Sequence, residues 1–435
     1  MAFCGFTRGR KAISIRLSSG REVKARSLWI VDHYAVTPDL PGGTRHYDIA
    51  RCLAARGWQV TVWTSAFHHG IREDVRLRTG GIVLVEEVSG VTFAWVRSRP
   101  TYQAGHLRRA LNMADFARRV AWLGTRWFEQ NALQKPDIVI GSSPDLLAAA
   151  SACWLSAWHR ARFFLEVRDL WPQVLVDMGV ASRRSPLICA LRGLESLLYK
   201  RAKGVVFVPS KGAEYLQRRG VPPEQLLWMP NGVDIARFEG GAAIEKEVGE
   251  LTILYAGAHG PANRLDLLLD AARRLQHRNE GNLRFVLVGE GTEKPRLVEL
   301  ARGWKLANVE FRQAVPKNEI PSLILQADVC VVDTDAHVPQ YGTGPNKLPD
   351  YLACGKPVII LSDQKQDAVE KGFGFRVPAL SAAALADALL RFRDMPRDDL
   401  RRMGTAARAH AEEHYDVDRL TGRLEQFLLQ ENKKR

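Results

Sequence analysis

Twice along these 435 residues, a short run of aliphatic and β-branched residues gives way to a loop, a helix-like segment and another such run. The first series opens with Leu28-Trp29-Ile30-Val31 and passes through a loop from Asp32 to Gly43. A helix-like stretch from Arg45 to Arg56 follows, stopped at Gly57, then a second run from Gln59 to Thr64. The series continues through Ile138-Val139-Ile140 and Phe163 to Val167, and closes at Gly204 to Ser210. The second series begins at Leu251 to Gly257, with a helix from about Leu265 to Leu275. It runs on through Phe285 to Gly289, Val309 to Phe311, Asp328 to Val332 and Pro357 to Leu361. Uninterrupted apolar runs of this length fit strands buried on both faces, the condition of a parallel sheet covered by helices. The expectation is therefore α/β: two doubly wound, Rossmann-like domains facing each other across a cleft, with ligands at the carboxyl ends of the strands. The chain is also too long for one ordinary core. Pro222-Pro223, Pro230-Asn231-Gly232 and Gly240-Gly241 cluster between the two series. The expected domains are 27–210 and 211–410, with a C-terminal helical segment 411–435. Residues 1–26 fit neither sheet; with seven basic residues and one acid they read as a basic arm or as sequence upstream of the true start.

With 46% hydrophobic and 25% charged residues the composition is that of a globular protein, without a disordered tract. The net charge of +14 is uneven: residues 1–200 carry 28 Lys and Arg against 16 Asp and Glu, residues 201–435 carry 34 against 32. The first half is thus expected to face something anionic, such as a phospholipid surface or a pyrophosphate-linked substrate. Nucleic-acid binding is not expected, because aromatic stacking motifs and nucleic-acid folds are missing. The six cysteines show no paired metal-ligand spacing, and no secretory signal is visible, which favours the cytoplasm. The most apolar stretch, the 13 residues from Leu146 to Trp158, is too short to span a bilayer, so any membrane contact is expected to be peripheral.

Gly344-Pro345-Asn346-Lys347-Leu348-Pro349-Asp350 carries the densest chemistry: a turn opens into a short amphipathic segment that stops at Gly355 before a Val/Ile strand. Lys347 can neutralise a phosphate, neighbouring amides can bind its oxygens, and Asp350 can accept hydrogen bonds from a ribose. The alternative is a solvated lysine beside a turn-forming glycine. A second segment, Leu107 to Phe128, places Met113, Phe116, Val120, Leu123 and Trp127 at helical spacing, with Arg108, Arg119 and Arg126 on a neighbouring face. It reads as an interfacial helix against anionic lipid or as an ordinary core-facing helix.

These motifs resemble glycosyltransferase family 4, the nucleotide-sugar enzymes of GT-B architecture. The resemblance rests on Pro41-Gly42-Gly43-Thr44-Arg45, Arg56 to Val62, Pro230-Asn231-Gly232-Val233-Asp234 with Phe238, Leu287 to Gly291, Asn308 to Phe311 and Ala353 to Ile359, in family order from about residue 28 to 425. Phe67-His68-His69, Gly141-Ser142-Ser143-Pro144 and Glu166 to Pro172 are similar to the WbuB-like subgroup, which builds O-antigen or capsule repeats on a lipid carrier.

The resemblance implies a retaining transfer, without a metal or other cofactor, from a nucleotide sugar (UDP-linked as the first choice) to a polyprenyl-pyrophosphate-linked acceptor at the inner face of the cytoplasmic membrane. Stabilising a departing diphosphate calls for cations and amides. Lys347 and Arg264 are the candidate cations. Gly342, Thr343 and Gly344 would supply amides, Gly42 and Gly43 would let the N-terminal loop approach the ligands, and Gly257, Gly289 and Asn346 would complete the donor site. Glu290 is a candidate nucleoside contact or a solvated loop acid. Three departures stand out. The family's arginine and lysine positions hold Ala258 and Asn263, with Arg264 adjacent. Its paired glutamates become Gly342 and Asp350. Its N-domain histidine aligns near Arg168 and Asp169, so Asp169 either orients the acceptor or is a strand-end carboxylate. His33 lies in the first loop, where a lone histidine is more often structural. The C-terminal helix would cross back to the N-domain. Two rivals stay open: a metal-dependent transferase using Asp333 and Asp335 of a D-x-D, and a nucleotide-sugar epimerase or hydrolase on the same fold.

Overall fold

The computed structural model describes residues 14–16, 22–77, 80–101, 105–126, 128–129, 133–238, 250–280, 282–333, 341, 344–363 and 367–430. The expected site residues Gly342 and Thr343, and Asp335 of the D-x-D, lie outside them. Ser14–Arg16 and Glu22–Lys24 pair as an antiparallel ribbon apart from the two large sheets.

The first sheet has eight strands: β1 (Ser27–Val31), β2 (Gln59–Ser65), β3 (Val83–Val88), β4 (Val91–Val96), β5 (Ile138–Ser142), β6 (Arg162–Val167), β7 (Gly204–Phe207) and β8 (Leu226–Trp228), in the order β8-β7-β6-β5-β1-β2-β4-β3. All neighbours are parallel except the edge hairpin β3–β4. Strand β8 lies past residue 210, where the sequence placed the end of this domain. Its three residues, hemmed between Pro223 and Pro230, are too few to read as a strand. The second sheet is wholly parallel: β9 (Leu251–Ala256), β10 (Leu283–Val288), β11 (Val309–Arg312), β12 (Val329–Asp333), β13 (Val358–Leu361) and β14 (Gly374–Val377), ordered β11-β10-β9-β12-β13-β14. Two Rossmann-like domains result, as the apolar runs implied.

One face of the first sheet is layered by α2 (His106–Arg126), α3 (Leu146–His159) and α4 (Pro186–Arg201), with the short helix Gly212–Arg218 adding Tyr215 and Leu216 to the same core. Asp145 caps α3 by accepting from the amides of Leu147 and Ala148, and Arg160 in the left-handed conformation ends it. The stripe on α2 resolves one of the sequence alternatives. Phe116, Val120 and Leu123 are fully buried in the core shared with α3, so this stripe does not meet lipid. Trp127 lies outside the described residues. Periodicity marks an apolar face but not which surface covers it.

The other face carries α1 (Arg45–Ala55) and α7 (Val417–Leu429), the last helix, which returns from the second domain. On α7, Leu420, Leu424, Phe427 and Leu428 are buried against the first sheet, each contributing about 1.5–3 kcal/mol. Trp58 donates to Glu425 at 2.7 Å, and Arg56 pairs with Asp418 at 3.0 Å. The second domain contributes α5 (Leu265–His277) and the seven-residue α6 (Lys347–Ala353). Among the described residues, no helix is long and apolar enough to cross a membrane.

The segment 229–238 between the two sheets is gripped by α1. Arg45 donates to the carbonyls of Pro230 and Met229 at 2.6 and 3.1 Å, Arg51 pairs with Asp234 at 2.8 Å, and Arg237 pairs with Asp48. The N-terminal loop also touches the second domain directly: the amides of Lys317 and Asn318 donate to Leu40 and Pro38 at 3.3 and 3.2 Å.

Candidate active site

Both sheets turn their carboxyl edges toward one cleft of about 510 Å3. The N-terminal wall is the loop Pro41-Gly42-Gly43, His68, Gly70, Ile71 and Asp169, and the C-terminal wall comes from the ends of β9 and β10, the segment 314–320 and residues 344–351. Of the residues singled out by sequence, Gly42, Gly43, Asp169, Gly257, Asn263, Gly289, Glu290, Gly344, Asn346, Lys347 and Asp350 line it together.

Lys347 opens α6 and reaches back to β9. Its ammonium donates to the Tyr255 hydroxyl at 2.8 Å and lies 4.0 Å from the centre of that ring, while the hydroxyl donates to the Ala258 carbonyl at 2.9 Å. A cation over an aromatic face gains about 0.5–2 kcal/mol. The charge is thereby held beside Gly257, where an added Cβ would come within 2.9 Å of the lysine Cε. Because α6 is so short, its dipole adds little, and the point charge of Lys347 is what an anion would meet.

The turn after β10 is closed by backbone contact. Gly289 has φ +149°, and a Cβ on it would stand 1.9 Å from the Gly257 carbonyl oxygen. Lys294 clamps this turn, donating to the Gly289 and Arg312 carbonyls at 2.9 Å each and to Glu290 at 2.6 Å. Glu290, the candidate nucleoside contact, is therefore ion-paired within the turn. Gly289→Ala is expected to destabilise the second domain by about 1–3 kcal/mol, since backbone has to move. A lowered melting temperature, together with weaker nucleotide binding, checks this.

Other residues sit differently from the sequence expectation. Arg264 does not line the cleft: at the start of α5, in the left-handed conformation, its guanidinium turns to Asp266 two residues on, at 3.3 Å. A different cation, Lys317, lines the cleft and pairs with Asp350, so the carboxylate assigned to a ribose already has a partner. Sequence gave no signal for Lys317, since only the docked loop at Leu40 brings it in. Gly344 has a structural reason beyond any amide role. Its added Cβ would stand 2.3 Å from Val208, and Asn231 donates to its carbonyl at 2.6 Å, at the seam between the domains. His33 is buried, 2.7 Å from Asp145 and 3.1 Å from the Asn112 oxygen, and does not line the cleft. Asp333 ends β12.

Behind the N-terminal wall lies a charge cluster that the motifs did not reveal. His46 pairs with Asp32 at 2.9 Å through Nδ1 and with Glu166 at 2.6 Å through Nε2. Arg45 donates to Glu166 at 2.8 Å, and Ser142 donates to it at 2.6 Å. Burial pulls the imidazole pKa down, but Glu166 and Asp32 on either side outweigh it and raise it to about 9. Burial likewise opposes ionisation of Glu166, yet Arg45 and His46 hold its carboxyl well below the usual range. Arg168 lies 3.5 Å from Asp32 and adjoins Asp169. The cluster ties α1 to the ends of β5 and β6, and so braces both the 41–43 loop and Asp169.

Residues 42–232 match the glycosyl transferase 4-like domain family, and residues 250–394 match the glycosyl transferases group 1 family. A putative colanic acid biosynthesis glycosyl transferase, WcaI of Escherichia coli K12, is 24% identical over 90% of this chain and 96% of its own. Among solved structures, a sucrose-phosphate synthase from Thermosynechococcus elongatus superposes with a TM-score of 0.72 at 19% identity, covering 92% of this chain and 98% of the other. HepE from Anabaena, solved with UDP and glucose, gives 0.65 at 17% identity over 93% and 99%.

Proposed function

The chain belongs to the group 1 glycosyltransferases, with a glycosyl transferase 4-like N-terminal domain; from that premise we propose that it moves a sugar from a UDP-linked donor to a lipid-linked saccharide in surface-polysaccharide synthesis. The observation that carries the donor half is the Lys347 ammonium fixed on Tyr255 beside Gly257 and Gly289, where two parallel strands end in the cleft. HepE binds UDP, and WcaI is named for colanic acid synthesis; both support the choice of donor and product class.

The diphosphate would lie against the ends of β9 and β10 with Lys347 on its oxygens, and Asn346, whose amide stands against Gly43 where the two walls meet, would contact the sugar. The acceptor hydroxyl, oriented by Asp169, forms the new bond to the anomeric carbon as the bond to the diphosphate oxygen breaks. Its proton passes to the departing phosphate on the same face, which retains configuration. Fixed cations aimed at the developing charge supply the largest part of such a rate enhancement. With Lys347 in this role the reaction is expected to need no divalent metal. The carrier lipid would bring the enzyme to the membrane surface as a peripheral protein.

The test is UDP release from a panel of UDP-sugars, with and without a polyprenyl-pyrophosphate-linked saccharide. Release that depends on the acceptor, survives chelator and yields a product with the donor's anomeric configuration is expected. Release in water alone would favour a hydrolase, and loss of activity with chelator would favour a metal-dependent route.

A further inference from the structure

We infer that the outer face of α2, α3 and α4 is a docking surface for an anionic lipid bilayer, with Trp154 and Trp158 at its centre. The patch itself stands on geometry; its purpose rests on the lipid-linked acceptor proposed above. Among the described residues, nine of the fifteen exposed large hydrophobic side chains fall between residues 107 and 197. The middle helix explains why. From Leu146 to Trp158, α3 contains no charged residue; its inner side fills the core, and its outer side presents Ala150, Trp154 and Trp158. A helix that is apolar all round is normally covered on every side. Here Trp154 and Trp158 are 58% and 56% exposed. On the flanking helices, Trp122 of α2 and Leu187 and Leu197 of α4 are exposed as well. Large exposed apolar side chains gathered on neighbouring helices mark an interaction site.

Charge selects the occupant. Arg108, Arg126, Arg160, Arg183, Arg184 and Lys200 are all exposed around these helices. The acids on the same three helices are Asp115, held by Arg118 and Arg119, and Glu195, buried beneath α4, while Glu129 and Asp177 are exposed in the flanking segments, two acids against six cations. A second copy docked face to face would set these cations against their own kind, whereas an anionic surface would neutralise them. Tryptophans with an apolar body and a polar N–H, interleaved with Arg and Lys, suit the headgroup level of a membrane. Both α3 and α4 follow strands of a parallel sheet and so begin at its carboxyl edge, the edge that carries Asp169. Trp154 and Trp158, in the last turns of α3, stand toward the opposite edge of the sheet, and exposed Leu187 in the first turn of α4 carries the patch toward the cleft, where a carrier lipid's headgroup would have to arrive.

The test is flotation of the full chain with vesicles of phosphatidylcholine alone or mixed with phosphatidylglycerol, at low and high salt. Binding is expected on the anionic vesicles and should weaken as salt rises. The double variant W154S/W158S, and separately R183E/R184E, should each weaken it at least about tenfold. UDP-induced stabilisation should match that of the unaltered protein, which verifies folding. Unaltered protein that ignores both vesicles, or variants that bind as well as it does, would overturn the inference. So would a concentration-dependent dimer abolished by W154S/W158S without vesicle binding, which would make a second copy the occupant. Failure here with UDP stabilisation intact removes only this surface. An unaltered protein that UDP does not stabilise would instead remove the functional reading.

Discussion

Lys347→Ala is expected to lower turnover by about 10²–10³-fold while leaving the fold in place. The ammonium is the cation that the cleft holds beside Gly257 and Gly289, and it is fixed by a hydrogen bond and by the face of Tyr255. Fixing matters, because a charge already in position does not have to reorganise as the diphosphate departs. The stability cost should be small, about 1 kcal/mol for the lost cation–aromatic contact. Lys347→Arg should recover little. The space beside Gly257 fits a slim methylene chain and a point charge, and a planar guanidinium needs more room. Single-turnover kinetics on a UDP-sugar, alongside a melting curve, separates the two effects. A variant that unfolds early and a variant that is merely slow look different in that pair of measurements.

The largest effect on stability is expected from Glu166→Ala. Its carboxylate accepts from Arg45, His46 and Ser142 and is buried with them. Removing it takes the shared carboxylate from two buried cations, leaving His46 with Asp32 and Arg45 with the carbonyls of Pro230 and Met229, and breaking a buried pair costs about 3–5 kcal/mol. Early melting of the first domain is the predicted result, measured by calorimetry. The cluster also sets a pH dependence. The folded pKa of His46, about 9, lies above its ordinary value of 6.5. Its contribution, on the order of 3 kcal/mol, is therefore fully present below about pH 6.5 and is lost as pH rises through about 9. In Glu166→Gln one of the two anions that raise the imidazole is gone, so the decline between those pH values should flatten. An unchanged slope in Glu166→Gln would mean that His46 is not the titrating group.

The sheets were legible because strands buried on both faces read as unbroken apolar runs, and nearly every such run became a strand. The hairpin β3–β4 was not. Its outer strand lies at the edge, half exposed, with Glu86 and Glu87 in its middle, so its pattern resembles a loop. The cleft was legible as far as its glycines and Lys347, where short local motifs carry the geometry. Lys317 and the His46 cluster were not, since each depends on contacts between residues far apart in sequence: Leu40 with Lys317, and His46 with Glu166. Arg264 shows the converse. Its place beside a motif position suggested a role in the cleft, but Asp266 two residues away takes its guanidinium. For α2, Phe116, Val120 and Leu123 of the expected stripe face the core, which the sequence left open; the outward tryptophans lie elsewhere, at Trp122 and on α3.

The central claim is that a uridine diphosphate binds at Lys347. Thermal stabilisation across UDP, GDP, ADP and dTDP, on the intact protein and on Lys347→Ala, tests it most directly. At a hundredfold excess over Kd, a ligand bound to the native state stabilises it by about 2.7 kcal/mol. The account predicts a selective rise in melting temperature with UDP that is lost in Lys347→Ala. Stabilisation by none of the nucleotides, or an equal UDP shift in protein and variant, would contradict it.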